Sequence, residues 1–294
     1  LSVSARVLVT GANGQLGRAL LASVPAGMEA RGTTHADLDI GDAAQVDKYL
    51  AEFKPQLIIN AAAYTAVDKA ESEQAQASRV NADGPANLAR TALKQSDSRL
   101  LHISTDFVFD GRASSPYQST DQTAPLGVYG ATKLAGEQSV LNTLGNKATI
   151  VRTAWVYAAQ GQNFLRTMLR LMSERGAVRV VADQVGTPTS AASLAEVLWK
   201  FAVRPDLSGV FHWTDAGVAS WYDFAVAITE EAAVRGLLKR EVQLTPITTA
   251  DYPTPAERPA YSVLDKQTTI TALGITPTHW RAKLRLVLEE LAVA

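Results

Sequence analysis

The spacing of apolar and polar positions changes period repeatedly along the first half of the chain. Short apolar, often β-branched runs at 5–10, 27–33, 55–60, 99–104 and 148–152 read as strands. Between them lie stretches with helical spacing at 18–24, 42–53, 68–93 and 129–144. Asp42 stands where it can cap the second of these. The third reads as one long helix, with Gly84-Pro85 as the point where a break would fall. Strands alternating with helices of this length predict an α/β fold built on a doubly wound parallel sheet.

Beyond Trp155 the pattern is less regular. Helices are expected at 163–174, 194–202 and 280–291, a strand at 178–181 and a turn-like segment at 183–189. Phe211-His212-Trp213 and Trp221-Tyr222-Asp223-Phe224 read as core aromatics. Prolines at 246, 253, 255 and 259 mark a long loop. The expected division is a dinucleotide-binding domain over 1–155 and a mainly substrate-binding lobe over 156–294. The two are expected to interleave, with parts of the second returning to the first.

Composition narrows the chemistry. The 294 residues carry 28 Lys+Arg against 29 Asp+Glu, a formal net charge of -1, which argues against a nucleic-acid or acidic-membrane binder. Cysteine is absent, excluding disulfides, thiolate metal sites and cysteine nucleophiles. The four histidines show no zinc spacing, and no apolar run is long enough to span a bilayer. No signal-peptide pattern precedes the first strand, so the expected location is cytoplasmic.

Two motifs carry chemistry. The first strand runs into Gly11-Ala12-Asn13-Gly14-Gln15-Leu16-Gly17 and then a helix. Glycines at this spacing let the backbone turn sharply and let a pyrophosphate approach the helix N-terminus, whose free N–H groups favour an anion. An ordinary tight turn would use glycines too. The second motif is Tyr129-Gly130-Ala131-Thr132-Lys133. On a helix, residues four apart share a face, so phenol and ammonium can enter one cleft. A lysine cation favours phenolate and brings the tyrosine pKa toward neutrality. The same spacing also marks ordinary amphipathic helices. Thr105, at the end of the fourth predicted strand, can complete a trio around a substrate oxygen. Ala61-Ala62-Ala63 after the third strand leaves room either for a flat ligand or for tight helix packing.

Thr10 to Gly17, Asn60 to Glu71, Ser104-Thr105-Asp106-Phe107-Val108-Phe109-Asp110-Gly111, Tyr129 to Glu137 and Arg152-Thr153-Ala154-Trp155-Val156-Tyr157 together resemble the extended short-chain dehydrogenases/reductases. Asn163-Phe164, Asp183-Gln184 and Tyr252-Pro253-Thr254-Pro255 with Arg258-Pro259 carry the resemblance into the second half. It implies a Rossmann-like sheet with a smaller C-terminal substrate-binding lobe, and NADPH or NADH reducing the C4 keto group of a dTDP-linked sugar. Tyr129 is then the acid, Lys133 lowers its pKa and holds the nicotinamide ribose, and Thr105 bonds the same oxygen. Asp106 and Trp155 lie against the sugar. Gly14, Gln15 and Leu16 take the pyrophosphate, with Gly11 and Gly17 also at the cofactor; Asp39 and Ile40 hold the adenine, and Ala62, Ala63, Tyr64 and Thr65 line the cofactor. Arg258, a fork-shaped cation, suits the nucleotide diphosphate.

Some members of the family dimerise around magnesium; the matching positions here, Ala19 and Ala192, cannot ligate a metal. The expectation is no metal and a monomer or weak homodimer. Near the end of the second strand, Arg31-Gly32-Thr33 offers no acid to repel a 2′-phosphate, and Arg31 either donates to that phosphate or points into solvent. NADPH is therefore expected to serve at least as well as NADH, with Gly32 leaving room.

Overall fold

A computed structural model describes residues 5–95 and 98–293. Six strands form one parallel sheet: β1 (Ala5–Thr10), β2 (Met28–Thr33), β3 (Leu57–Asn60), β4 (Arg99–Thr105), β5 (Ala148–Thr153) and β6 (Gly209–His212). Their spatial order is β6-β5-β4-β3-β1-β2. The chain leaves β1 toward one edge and returns to build the other, which makes the gap above β1 and β3 the switch point where ligands bind in such sheets. The fully buried Leu-Ile-Ile-Asn of β3 reflects a central strand covered on both faces.

The principal helices are α1 (Gln15–Ala22), α2 (Ala43–Phe53), α3 (Gly84–Leu93), α4 (Val128–Leu144), α5 (Phe164–Glu174), α6 (Ala191–Ala202), α7 (Trp221–Val234) and α8 (Trp280–Val293). One face of the sheet packs on α1 and α6 through Val7, Val9, Leu20, Leu194 and Leu198. The other packs on α2, α3 and α4 through Leu8, Ile58, Val46, Leu88 and Val140. The second half of the chain thus supplies both an edge strand, β6, and a covering helix, α6. The remaining lobe has its own core of α5, α7 and α8, including Leu165, Met172, Phe224, Ile228 and Leu284. Its strand Ala177–Val181 pairs in parallel with Gln243–Ile247.

Asp42 caps α2 as expected, accepting from the backbone N–H of Ala44 and Gln45. The segment 68–93 is not one helix. It forms short turns at Val67–Ala70 and Gln74–Ser78, a π-turn at Arg79–Asp83, and then α3. At the π-turn the backbone is in direct contact with α4: a Cβ at Gly136 would stand 2.2 Å from the Asn81 carbonyl oxygen. Asn81 is buried there and clamps Tyr64 through both its N–H (2.8 Å) and its carbonyl (3.0 Å). Phe211 and His212 lie in β6, and Trp221 opens α7, so the two aromatic clusters belong to regular elements that composition did not reveal.

Candidate active site

The glycine loop is built for close approach. Gly11 has φ +70°, and a Cβ there would lie 2.7 Å from the Ala62 nitrogen. A Cβ at Gly17 would come 2.2 Å from the Gly11 oxygen. The helix begins at Gln15, earlier than its spacing suggested, with Gly14 as an N-cap that has no side chain to offer. The first N–H groups of α1 therefore have no intrahelical acceptor and face the switch point, the arrangement an anion needs. Asn163 reaches over this loop, donating to Gln15 Oε1 (2.8 Å) and to the Ala158 carbonyl (2.8 Å). Ala62 and Ala63 are half-buried at the end of β3, and Thr65 is exposed beyond them.

At the cofactor's adenosine end, Arg31 is exposed, as one of its two readings had it, with its guanidinium 4.3 Å over the Phe53 ring. Gly32 is not open space. A Cβ there would meet Leu21 Cδ1 at 2.5 Å and Ala12 Cβ at 2.9 Å, so a side chain at 32 would disturb the β2–α1 contact rather than simply add a charge. Asp39 is engaged by Arg79 and accepts from the Gly41 N–H (2.9 Å). Ile40 is core, leaving its backbone as the part able to meet a ligand.

Thr105, Asp106, Tyr129 and Lys133 do come together. Thr105 ends β4, beside β5, and caps the following turn by accepting from the Phe107 N–H (3.2 Å). Its hydroxyl donates to Asp106 Oδ1 (3.0 Å) and also reaches the Tyr129 phenol. Phe107 packs edge-on against Tyr129, centroids 5.4 Å apart. Burial pushes the Tyr129 phenol up to about 12, with the Thr105 bond opposing and the Asp106 charge reinforcing the shift. Burial likewise raises the Asp106 carboxyl to about 6, against hydrogen bonds from Ser262 and Thr105.

Lys133 is buried, donating to the Ile103 carbonyl (2.6 Å) and lying 3.4 Å from His102 Nε2. Burial lowers its pKa to about 8, with Glu137 opposing. One of its N–H groups is thus taken by β4, and burial holds the phenol protonated rather than as phenolate. A protonated phenol is the form that can give a proton.

The residues expected to face the substrate are arranged differently. Trp155 has φ +49°, a conformation costing a non-glycine residue ~1–3 kcal/mol. The resulting turn lays its indole flat on Trp221, with centroids 3.5 Å apart. A Cβ at Gly186 would meet Trp155 at 2.6 Å. Trp221 in turn lines a groove of about 870 Å³ with Phe164, Gln184, Arg170, Arg175 and Arg179. Arg258 lies on the same groove, forked onto Asp68 (2.8 and 3.0 Å). Trp221 and the three arginines escaped sequence reasoning. The signal was the helical spacing of Arg170 with Phe164 and Thr167, but nothing local says that this face meets a strand arginine, Arg179, across a cleft.

A parallel sheet with a glycine turn at its switch point and a Thr-Tyr-Lys cluster on the same edge is the architecture of an extended short-chain dehydrogenase/reductase. The family model for the RmlD substrate binding domain matches residues 5–293. The chain is 44% identical to the dTDP-4-dehydrorhamnose reductase of Aggregatibacter actinomycetemcomitans over 288 residues, 96% of this chain and 97% of that one. Its structure is similar to the dTDP-4-dehydrorhamnose reductase of Clostridium acetobutylicum (TM-score 0.92, 41% identity, covering 97% and 99% of the two chains). It is similar also to the Bacillus anthracis enzyme in complex with NADP (TM-score 0.91, 36% identity, covering 98% and 99%). The chain belongs to the RmlD substrate-binding domain family, that of the dTDP-4-dehydrorhamnose reductases.

Proposed function

We propose that this protein reduces the C4 keto group of dTDP-4-dehydro-6-deoxy-L-mannose to give dTDP-L-rhamnose. The observation that carries the reading is the convergence of Thr105, Tyr129 and Lys133 beside the glycine loop, in a chain this similar to such reductases. The donor set fits a dinucleotide: Gly11 and Gly17 leave backbone exposed, and α1 presents free N–H groups. When bound there, NADPH or NADH supplies the hydride.

The chain's own residues do the rest. Gly14, Gln15 and Leu16 hold the pyrophosphate, and Ala62 to Thr65 line the cofactor. Tyr129, protonated at neutral pH, gives its proton to the C4 oxygen as that oxygen gains charge. Thr105 turns its hydroxyl from Asp106 toward the same oxygen. Lys133 supplies a cation beneath the site and a donor for the ribose. Asp106 and the Trp155–Trp221 stack border the sugar, and the arginine groove takes the diphosphate and thymine. Arg258 sits at its edge, where it either meets phosphate directly or fixes the loop through Asp68.

The test is oxidation of NADPH by purified protein on addition of the dTDP-keto sugar, with the product identified by NMR. No oxidation, or a product other than dTDP-L-rhamnose, overturns the proposal. NADPH is expected to serve at least as well as NADH. With Ala19 and Ala192 unable to ligate, EDTA treatment should leave activity and the monomeric or weakly dimeric mass unchanged.

A further inference from the structure

One row of side chains crosses the middle of the sheet and ends on the proposed catalytic lysine. Thr10, Asn60 and His102 are register partners on β1, β3 and β4. All three are buried. Thr10 Oγ1 lies 2.6 Å from Asn60 Oδ1, Asn60 Nδ2 lies 3.0 Å from His102 Nδ1, and His102 Nε2 lies 3.4 Å from Lys133 Nζ. Neither the reduction nor the packing of an apolar core calls for an imidazole at this point.

Counting protons along the row gives it a use. The Ala62 N–H can only donate, and it leans on Asn60 Oδ1 (3.3 Å) and Thr10 Oγ1 (3.4 Å). With its carbonyl on that side, Asn60 donates its amide to His102 Nδ1, so the neutral ring carries its proton on Nε2. Nε2–H then faces Nζ and is compatible with an uncharged amine. An ammonium at Lys133 favours the opposite tautomer: Nε2 with a lone pair, Nδ1–H donating to an Asn60 turned about its amide, and Thr10 Oγ1 accepting from Asn60 Nδ2 and from the Ala62 N–H, which gives up its contact with Oδ1. The ring itself stays neutral in both arrangements, because burial and the Lys133 charge hold its pKa well below the ordinary value.

The other groups facing Lys133 are fixed. Ile103 offers a backbone carbonyl, Tyr129 lies one turn back on α4, and Glu137 one turn on. Glu137 is neutralised by Arg152 of β5 in a buried ion pair at 2.7 Å. The adjustable contact is His102.

We propose that His102 is a positioning residue, and that the Thr10–Asn60–His102 row couples the charge on Lys133 to the tautomer of one buried imidazole. The row gives the ammonium a second acceptor when Lys133 is charged and a donor when it is not. The proposal rests on the reading of Lys133 as catalytic, but its spectroscopic test needs no substrate.

In protein with 15N-labelled histidine, the two ring nitrogens of His102 should exchange their protonated and unprotonated shifts between about pH 6 and pH 10, with no net protonation of the ring. In Lys133→Met this exchange should vanish. A single tautomer throughout that range in the wild type overturns the coupling. Kinetically, His102→Phe should move the alkaline limb of kcat down by about one pH unit, since the ammonium loses an acceptor, with KM for the keto sugar within about two-fold. His102→Gln, whose amide oxygen can accept from Nζ, should restore most of the limb. A His102→Phe variant that only loses thermal stability, with its pH profile unmoved, overturns the positioning role. If the wild type does not turn over the keto sugar, the proposed function fails while the NMR measurement still decides this inference.

Discussion

The sheet edge around Tyr129 and the groove around Trp221 are built of different materials, and the proposed function gives them different tasks. At the sheet edge, Thr105, Asp106 and Lys133 are buried and tied to backbone or to each other, and burial shifts the pKa of Asp106, Tyr129 and Lys133. In the groove, arginines line an open cleft; Arg258 is forked onto Asp68 and Arg170 pairs with Glu174 at the surface. Proton transfer needs groups held within hydrogen-bond reach in a set protonation state. Binding a charged nucleotide needs donors that can close on phosphate, and partly exposed arginines provide them.

If that division is right, the largest effect belongs to the sheet edge. Tyr129→Phe keeps the ring against Phe107 and removes the proton; kcat should fall at least ~100-fold, with NADPH affinity measured by fluorescence little changed. Turnover near the wild-type rate would sink the assignment. Groove substitutions should instead raise KM. Arg258→Ala should raise it by ~10-fold or more, the loss of a charge-assisted bond. Asp68→Asn sharpens this: it frees Arg258 without removing it, so KM should stay near wild type if Arg258 meets phosphate. Equal damage from both variants would mean that the pair only fixes the loop. Trp221→Ala should raise KM by about ten-fold or less by uncovering Trp155, with kcat falling less.

The smallest effect is on stability. The Asp106 carboxyl moves from 3.8 to about 6 on folding, so the folded state binds more protons between those values. Stability therefore falls as pH rises through that window, and the penalty is fully present above about 6. Asp106→Asn should raise Tm by a few degrees at pH 7 and by nothing below about pH 4, even while activity drops. An unchanged Tm difference across that range would show that the carboxylate is better satisfied than its burial implies.

Gly32→Asp is a poor probe of cofactor choice. Its Cβ would strike Leu21 and Ala12, so lost NADPH binding would not separate charge from a displaced β2. Beside it, Arg31 is exposed and lies over the Phe53 ring, a contact between segments that strand spacing alone does not give.

By itself the sequence determined what is local. Apolar runs of strand length, a glycine turn whose close contacts tolerate no Cβ, Asp42 as a cap, and Tyr129 one turn from Lys133 all follow from spacing and residue type. They place the chemistry on one edge of a parallel sheet. Tertiary structure decided what depends on contacts between segments far apart in the chain. The expected long helix is interrupted at 71–73 and carries a π-turn at Arg79–Asp83, where Gly136 lies against the Asn81 carbonyl. Pairing with β5 made Gly209–His212 the sixth strand. The stack of Trp155 on Trp221 and the fork of Arg258 on Asp68 each join residues more than sixty positions apart. The protonation states belong with these: a tyrosine, an aspartate and a lysine have ordinary pKa values along the chain, and only the burial that folding imposes moves them to about 12, 6 and 8.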